Sequence, residues 1–303
     1  MNDYLIFTDS NADLTPEMIA ELDIRVIPMQ FTISDKDYLD YPDHKELAIT
    51  DFYAKMREGN MCTTIQLNPN DFREQFTPSL EEGRDLIYIA FSSGLSGTYA
   101  SACMAAEELK SEYPGRKIVI VDSLAASMGE GLLIWHAAMK KREGLSIEEL
   151  EQWVVENRNH LCHWFTVDDL FHLKRGGRVS AAAAVIGSAL GIKPVLHVDD
   201  EGHLIPVKKV RGRRQSLDAL VEMMAQTAID PQQQTVFISH GDSLEDAKYV
   251  EKKVRETFKT KQTHINFIGP VIGAHSGPGT IALFYLGCLL YTSPSPRDST
   301  SSR

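Results

Sequence analysis

A short apolar run, a hydroxyl-rich turn and a long amphipathic stretch follow one another in the first half of this chain and restrict its fold most strongly. Residues 86–91 (LIYIAF) are continuously apolar, which is typical of a strand buried on both faces of a parallel sheet. Residues 99–113 carry apolar side chains at helical spacing. Between them, residues 92–98 (SSGLSGT) predict a turn at the carboxyl end of the strand, where α/β sheets bind anions. The alternative is that Ser96 or Thr98 only caps the helix.

Strands and helices alternate through the whole first half. Strands are predicted at residues 4–8, 23–33 and 117–123, and residues 34–46 are predicted to form an acidic loop. Helices are predicted from Pro16, Thr50, Asn70 and Ser127, and a capping box opens another at Ser146. The alternation predicts βαβ units, and hence a mainly parallel sheet flanked by helices.

The second half follows a different pattern. Residues 193–198 and 203–210 form a predicted hairpin around a glycine-containing turn, so the sheet here is at least partly antiparallel. Because 303 residues exceed the usual size of one hydrophobic core, we predict an α/β fold with two domains. The first domain comprises residues 1–160 and the second residues 161–287. The second is predicted to be built on a mixed or antiparallel sheet with helices. Residues 288–303 are rich in Ser, Pro and Thr, and we interpret them as a tail that is not native to the fold.

Composition excludes several classes of function. A net charge of −11 argues against binding to the phosphate backbone of nucleic acid. The strongly apolar runs fall short of the ~20 residues of a membrane-spanning helix, so we expect a cytoplasmic protein, with transient contact to a membrane left open. The four cysteines are far apart in the sequence, which indicates neither a zinc site nor a disulfide framework.

The common enzyme motifs are also missing. The chain has no G-x-x-x-x-G-K-[ST] loop and no G-x-G-x-x-G turn after the first strand, so we expect no cofactor and no ATP site. The turn at residues 92–98 is not a G-x-S-x-G elbow, and the ten histidines show no metal-binding spacing. One histidine differs from the others, since His275 lies in a predicted glycine-rich loop, residues 269–279, where an imidazole can donate to an oxyanion.

Seven separated motifs, in this order, resemble the DegV family from Met1 to about Gly287. They are Asp9-Ser10, Thr64 with Gln66, the turn at residues 92–98, Asp122-Ser123, and the segments at residues 175–180, 208–212 and 269–275. The resemblance implies a bacterial two-domain protein that holds a long-chain fatty acid between its domains, as the lipid-binding subunit of fatty acid kinase does. It also implies that the chain carries no catalytic residues and that a separate kinase subunit phosphorylates the lipid.

The resemblance assigns roles to particular residues. The family's T-S-Q-P segment and its S-S-x-L-S-G-T turn place the carboxylate contacts at Thr64 and Ser96, although Ile65 and Leu67 replace the serine and proline of the first motif. Arg178 and Arg211 match basic positions that face the kinase subunit. A surface arginine in contact with solvent is the alternative for each.

The residues themselves support a lipid site. An acyl chain gains roughly 0.8 kcal/mol for each buried CH₂, and a carboxylate needs fixed hydrogen-bond donors, which Thr64, Ser96, Ser93 and His275 offer. We therefore predict that the chain binds a fatty acid and presents its carboxylate to a kinase that makes the acyl phosphate. Two alternatives remain at this point: a serine enzyme with Ser96 as nucleophile and His275 as base, and a metabolite sensor that uses the same pocket.

Overall fold

The structure, a computed structural model, describes residues 4–179 and 191–288. Thirteen strands of this part form three sheets, which are the four-stranded sheet β2-β1-β6-β7, the six-stranded sheet β10-β9-β8-β13-β11-β12 and the three-stranded sheet β4-β3-β5. The strands are β1 Tyr4–Asp9, β2 Ile24–Ile27, β3 Gln30–Ile33, β4 Lys36–Leu39, β5 Cys62–Ile65, β6 Asp85–Ala90, β7 Ile118–Asp122, β8 Leu161–Thr166, β9 Ile192–Val198, β10 Leu204–Arg211, β11 Thr235–His240, β12 Gln262–Phe267 and β13 Ile281–Leu286.

Ten α-helices connect these strands in the described ranges. They are α1 Pro16–Leu22, α2 Ile49–Arg57, α3 Pro69–Glu81, α4 Thr98–Glu112, α5 Met128–Arg142, α6 Ile147–Asn157, α7 Phe171–Arg175, α8 Arg213–Thr227, α9 Leu244–Phe258 and α10 Pro270–Ser276. Thr15 caps α1, and capping boxes open α3 at Asn68 and α6 at Ser146, so local sequence fixes where these helices begin. Residues 181–190 are small and apolar, which predicts a tightly packed helix, but this segment lies outside the described residues.

The predicted fold class is confirmed. Every pairing in the four-stranded sheet is parallel, whereas the six-stranded sheet is antiparallel except for the pair β11 and β12. The predicted hairpin is β9 and β10. All strands of the first sheet precede residue 160 and all strands of the second follow it, so the boundary that we propose falls at the short 3-10 turn Arg158–His160.

Helix α5 joins the two sheets into one hydrophobic core. It contacts β8, β11 and β13 of the six-stranded sheet. A single cluster of buried side chains includes Ile6 from the parallel sheet, Leu132 from α5 and Phe284 from the mixed sheet. The space between the sheets is therefore lined by both halves of the chain.

Three local predictions were wrong. Residues 23–33 form two strands in different sheets, because Pro28 has no N–H to donate and the N–H of Met29 donates to the Ser10 hydroxyl at 3.1 Å. Within the predicted loop at residues 34–46, β4 forms by pairing with β3. The predicted glycine-rich loop at residues 269–279 contains helix α10, which Pro270 opens at its first position.

Candidate functional site

A cavity of about 210 Å³ lies between the two large sheets. By the same measure a single water needs roughly 10–15 Å³, so the cavity is sized for an organic ligand. Most of its wall is hydrocarbon and aromatic. The apolar side chains that line it are Met29, Phe91, Leu95, Ala126, Phe165, Leu173, Val198, Leu204, Ile268, Val271, Ile272, Ala282 and Phe284. Such a wall excludes water and favours an extended apolar molecule.

Hydroxyl, amide and imidazole groups from elements far apart in sequence complete the cavity wall. Thr64 and Gln66 come from the end of β5, Ser96 from the turn before α4, and His275 from α10. Thr64 is hydrogen-bonded to His275, with 2.9 Å between Oγ1 and Nε2. The structure therefore brings together three of the predicted carboxylate-binding residues in one wall, with two of them in direct contact.

The turn that carries Ser96 is held from beneath by buried carboxylates. Asp9 accepts a hydrogen bond from the N–H of Phe91 at 3.3 Å, and Asp122 accepts one from the N–H of Ser93 at 3.1 Å. These contacts fix the chain as it leaves β6. Ser93 itself is exposed and is not among the residues that line the cavity.

The hairpin of the second sheet packs against the same turn. The Ser92 hydroxyl donates to the carbonyl of Gly202 at 2.9 Å. A Cβ on Gly94 would lie 2.8 Å from the Glu201 carbonyl oxygen, so glycine is required at this close approach of two backbones. The glycine and first serine of the motif thus join the two halves of the chain.

Ser96 takes part in both the turn and the cavity wall. Its hydroxyl accepts the N–H of Thr98 at 3.2 Å and lies 2.9 Å from the Thr98 hydroxyl. The N-cap of α4 is Gly97, whose N–H donates to the Gln66 side chain at 3.1 Å. Ser96 therefore satisfies one free N–H near the helix start while it also faces the cavity.

His275 is an uncharged group in this site. Burial, together with repulsion of the imidazolium by the nearby Arg178 and Arg175, lowers its pKa to about 4. A neutral ring offers one N–H and one lone pair. Its position is restrained by Gly176, where a Cβ would lie 2.3 Å from Nδ1.

The two arginines singled out from the sequence lie in different places. Arg178 stands in the cavity wall, and its Nε donates to the Leu95 carbonyl, one residue before Ser96, at 3.2 Å. Arg211 is exposed at the end of β10, outside the cavity wall. The resemblance implied that both arginines lie near the mouth of the site, whereas the contact between Arg178 and the residue before Ser96 has no signal in the local pattern of either segment.

The predicted serine–histidine pair does not form a hydrogen bond in the structure. The imidazole of His275 is bonded to Thr64, and the hydroxyl of Ser96 to Thr98. Among residues 4–179 and 191–288, no group of three or more His, Cys, Asp or Glu side chains is placed to hold a metal ion. In the same part of the chain no helix is long and apolar enough to cross a bilayer.

Sequence reasoning also missed a group of buried carboxyl side chains beside the cavity. Glu130 on α5 is 0% exposed, and its Oε1 accepts the Thr8 hydroxyl at 2.9 Å, while Oε2 has no partner among the described residues. Burial, with the nearby Asp9 as a second cause, raises the pKa of Glu130 well above its usual range. Burial therefore favours the protonated form of Glu130 in the folded protein.

We expect Glu130→Gln to reduce the loss of stability between pH 6 and pH 8. The unfolded chain ionises Glu130 above its usual pKa while the folded protein keeps the proton, so stability falls as pH rises, by about 1.4 kcal/mol per pH unit until the folded pKa is reached. The free energy of unfolding in urea, measured at both pH values, should therefore fall less in the variant than in the wild type. Glu82→Gln on the surface is the control, and equal pH slopes for all three proteins would contradict the expectation.

Comparison with known proteins gives one consistent result. The DegV family model, described as a family of uncharacterised proteins, matches residues 4–287. A DegV domain-containing protein of Clostridium perfringens is 47% identical over 287 residues, which cover 95% of this chain and 98% of the relative. A second, from Streptococcus pyogenes, is 37% identical over 284 residues, covering 94% and 98%.

Solved structures resemble this one over nearly its whole length. A DegV family protein of Thermus thermophilus, described for its fatty acid binding, superposes with a TM-score of 0.85 at 29% identity, covering 94% of this chain and all of the other. DegV of Bacillus subtilis, described as a fatty acid binding protein, gives a TM-score of 0.82 at 27% identity, covering 95% and 100%. A DegV lipid binding protein of Thermotoga maritima gives 0.84 at 29% identity, covering 95% and 99%.

Proposed function

We propose that this chain, which belongs to the DegV family, binds a long-chain fatty acid in the cavity between its two large sheets. The observation that carries the proposal is the composition of that cavity, which is hydrocarbon and aromatic over most of its wall and includes Thr64, Ser96 and His275 among its polar groups. Solved relatives described as fatty acid binding proteins share the fold. An acyl tail would fill the apolar part and the carboxylate would lie against the polar groups.

The hydrogen bond between Thr64 and His275 supports a specific role for each. If the neutral imidazole donates from Nε2 to Thr64 Oγ1, the Thr64 hydroxyl proton is free to donate to the ligand. The hydrogen bond from His275 then polarises the Thr64 hydroxyl, and this strengthens the hydrogen bond from Thr64 to an anionic ligand. His275 positions Thr64, and Ser96 supplies the second hydroxyl.

The positive charge near this site favours the ionised ligand without a direct ion pair. The Arg178 guanidinium donates to the carbonyls of Leu95 and Gly176, so it is held in the wall by the protein itself. Its field still lowers the energy of a carboxylate close to Ser96. Neutral donors then make the contact, and the carboxylate keeps an oxygen with lone pairs available.

We propose further that the protein presents this oxygen to a separate fatty acid kinase, which transfers a phosphoryl group to it and so makes the acyl phosphate. Three observations support this role: the absence of a nucleotide-binding motif from the sequence, the position of Arg178 beside the polar groups, and the exposure of Arg211. A negatively charged surface around a kinase active site would complement the two arginines.

The experiment that tests lipid binding is native mass spectrometry of the full-length protein as purified from cells. We expect a complex of one protein with one fatty acid, whose mass falls to that of the polypeptide after denaturation and solvent extraction. Stripped protein should recover the complex when octadecanoic acid is added. A stripped protein that neither retains nor recovers any fatty acid would exclude the proposal.

A further inference from the structure

A buried histidine stands in the cavity wall with no partner for its ring nitrogens. His163 lies on β8, and its side chain shares the strand face of Phe165, which also lines the cavity. The residue is 3% exposed. Nδ1 has no hydrogen-bond partner among the described residues, and the structure shows no hydrogen bond to Nε2 in the same ranges. The backbone of His163 pairs with β13, and its carbonyl is 3.0 Å from Nδ1 of His197, but neither contact satisfies the ring nitrogens of His163.

Strand register separates this ring from α10, the helix that carries His275 and so one of the groups proposed to bind the ligand carboxylate. Thr280, just before β13, lies beside α10, because its hydroxyl donates to the Ser276 carbonyl at 3.0 Å. Phe284, four residues further along, is the ladder partner of His163, and the two ring centroids are 5.7 Å apart. Four strand residues span roughly 13 Å. An extended hydrocarbon advances about 1.25 Å per C–C bond, so this separation corresponds to roughly ten bonds. His163 would therefore lie near the tenth carbon of a bound acyl chain.

The ring is neutral and its orientation leaves one nitrogen for the cavity. Burial lowers the pKa of His163 to about 3, with the neighbouring His197 as a second cause. Nδ1 lies against the backbone of α5, where a Cβ on Gly129 would be 2.7 Å away. Nδ1 has no hydrogen-bond acceptor there among the described residues, so we assign the proton to Nε2. Nε2–H is then a donor on the cavity side of the ring.

Such a donor is costly beside a ligand made only of hydrocarbon. An unpaired buried polar group costs roughly 1–3 kcal/mol, and a leucine or phenylalanine would pack at this point without that cost. The cavity-lining residues beside it on β8 and β13, Phe165, Ala282 and Phe284, are apolar and offer no side-chain acceptor. A ligand that carries its own oxygen at this depth would supply the missing acceptor.

We propose that the cavity prefers fatty acids with an oxygen near the middle of the chain, as a hydroxyl or keto group, and that His163 recognises this oxygen. Nε2–H donates to it, while the tail beyond packs against Phe284. The inference rests on the proposed function, because it names the class of fatty acid that the same cavity takes. His163 is a specificity residue, separate from the groups that hold the carboxylate.

The test compares matched ligands on stripped, full-length protein, with dissociation constants obtained by displacement of a fluorescent fatty acid. The ligands are octadecanoic acid, 10-hydroxyoctadecanoic acid, 2-hydroxyoctadecanoic acid and cis-11-octadecenoic acid. We expect the wild type to bind the 10-hydroxy acid more tightly than octadecanoic acid. In His163→Leu that preference should fall at least tenfold, since the hydroxyl would then be buried without a donor.

Two controls separate recognition from repacking. Phe165→Leu changes the same face of β8 and should weaken both acids equally, leaving their ratio unchanged. The 2-hydroxy acid carries its oxygen beside the carboxylate, so its ratio to octadecanoic acid should not respond to His163→Leu. Thermal melts of each variant confirm folding, and the wild-type comparison alone tests the preference if His163→Leu does not fold.

The outcomes are distinct. Equal affinity of the wild type for the 10-hydroxy acid and octadecanoic acid would overturn the inference, as would an unchanged ratio in a folded His163→Leu variant. Tighter binding of the cis-11 alkene than of the 10-hydroxy acid would also overturn it, because the ring would then be facing a double bond. If the wild type binds none of the four acids, the proposed lipid-binding function has itself failed.

Discussion

Replacing Ala282 by Phe should reduce the affinity for octadecanoic acid by about 100-fold or more. Ala282 is buried on β13, opposite Phe165 in the ladder, and its methyl group faces the cavity. A phenyl ring there would occupy room that the acyl chain needs. If about four methylene groups lose their burial at roughly 0.8 kcal/mol each, the ligand loses about 3 kcal/mol, which is a little over two decades in dissociation constant.

The same variant should keep its fold, because the new ring enters an existing cavity and does not displace packed atoms. The melting temperature of the stripped protein is therefore expected to stay the same or to rise. Val207→Phe is the matched control, since it adds the same ring to an exposed position of β10 in the same sheet, outside the cavity wall. Displacement titrations with octadecanoic and decanoic acid measure the effect, and an Ala282→Phe variant that binds octadecanoic acid as the wild type does would place the ligand elsewhere.

Removing the hydroxyls proposed to hold the carboxylate should have the second largest effect. Thr64→Ala and Ser96→Ala should each weaken fatty acid binding by about 1.5–3 kcal/mol, roughly 10- to 150-fold, the range for a hydrogen bond to a charged group. If both hydroxyls contact one carboxylate, the double variant should depart from additivity, because contacting sites are coupled. Titrations of the two single variants and the double variant measure this.

Conservative variants and thermal melts distinguish ligand contact from helix capping. Thr64→Ser and Ser96→Thr keep the hydroxyl and should bind close to the wild-type level. If Ser96 only helped to cap the helix, Ser96→Ala would cost about 1 kcal/mol of stability and would leave fatty acid binding unchanged. Because the Ser96 hydroxyl accepts the Thr98 N–H, we expect a small loss of stability together with the loss of affinity. Lower stability with wild-type affinity would reduce Ser96 to a cap.

The sequence determined the elements that depend on local chemistry. Continuous apolar runs such as residues 86–91 predicted buried strands of a parallel sheet, and these were confirmed as β6 and its neighbours. The Thr15 cap, the capping box at Ser146 and the hairpin around Gly202 were found as predicted, because caps and tight turns are specified by a few adjacent residues. One of the three errors came from pairing, since β4 depends on its partner β3 for its strand structure.

The sequence also determined the family, through motifs that are individually weak and together specific. Those motifs marked Thr64, Ser96 and the segment around His275 as a site, and the structure places all three residues in one cavity wall. The proposed roles of these residues, and the boundary near residue 160, stay predictions that the experiments above address. Of the segment interpreted as a tail, only Cys288 belongs to the described residues, and the family match ends at residue 287.

Only the tertiary structure decided which groups meet. Thr64 and His275 are 211 positions apart, and no periodicity in either segment indicates that their side chains lie 2.9 Å from each other. The raised pKa of Glu130 and the unpartnered ring of His163 follow from burial in the folded protein. The periodicity of apolar residues indicates which face of a helix or strand is buried. Which residues that face contacts depends on how the sheets pack around α5. Such long-range packing leaves no local signal in the sequence.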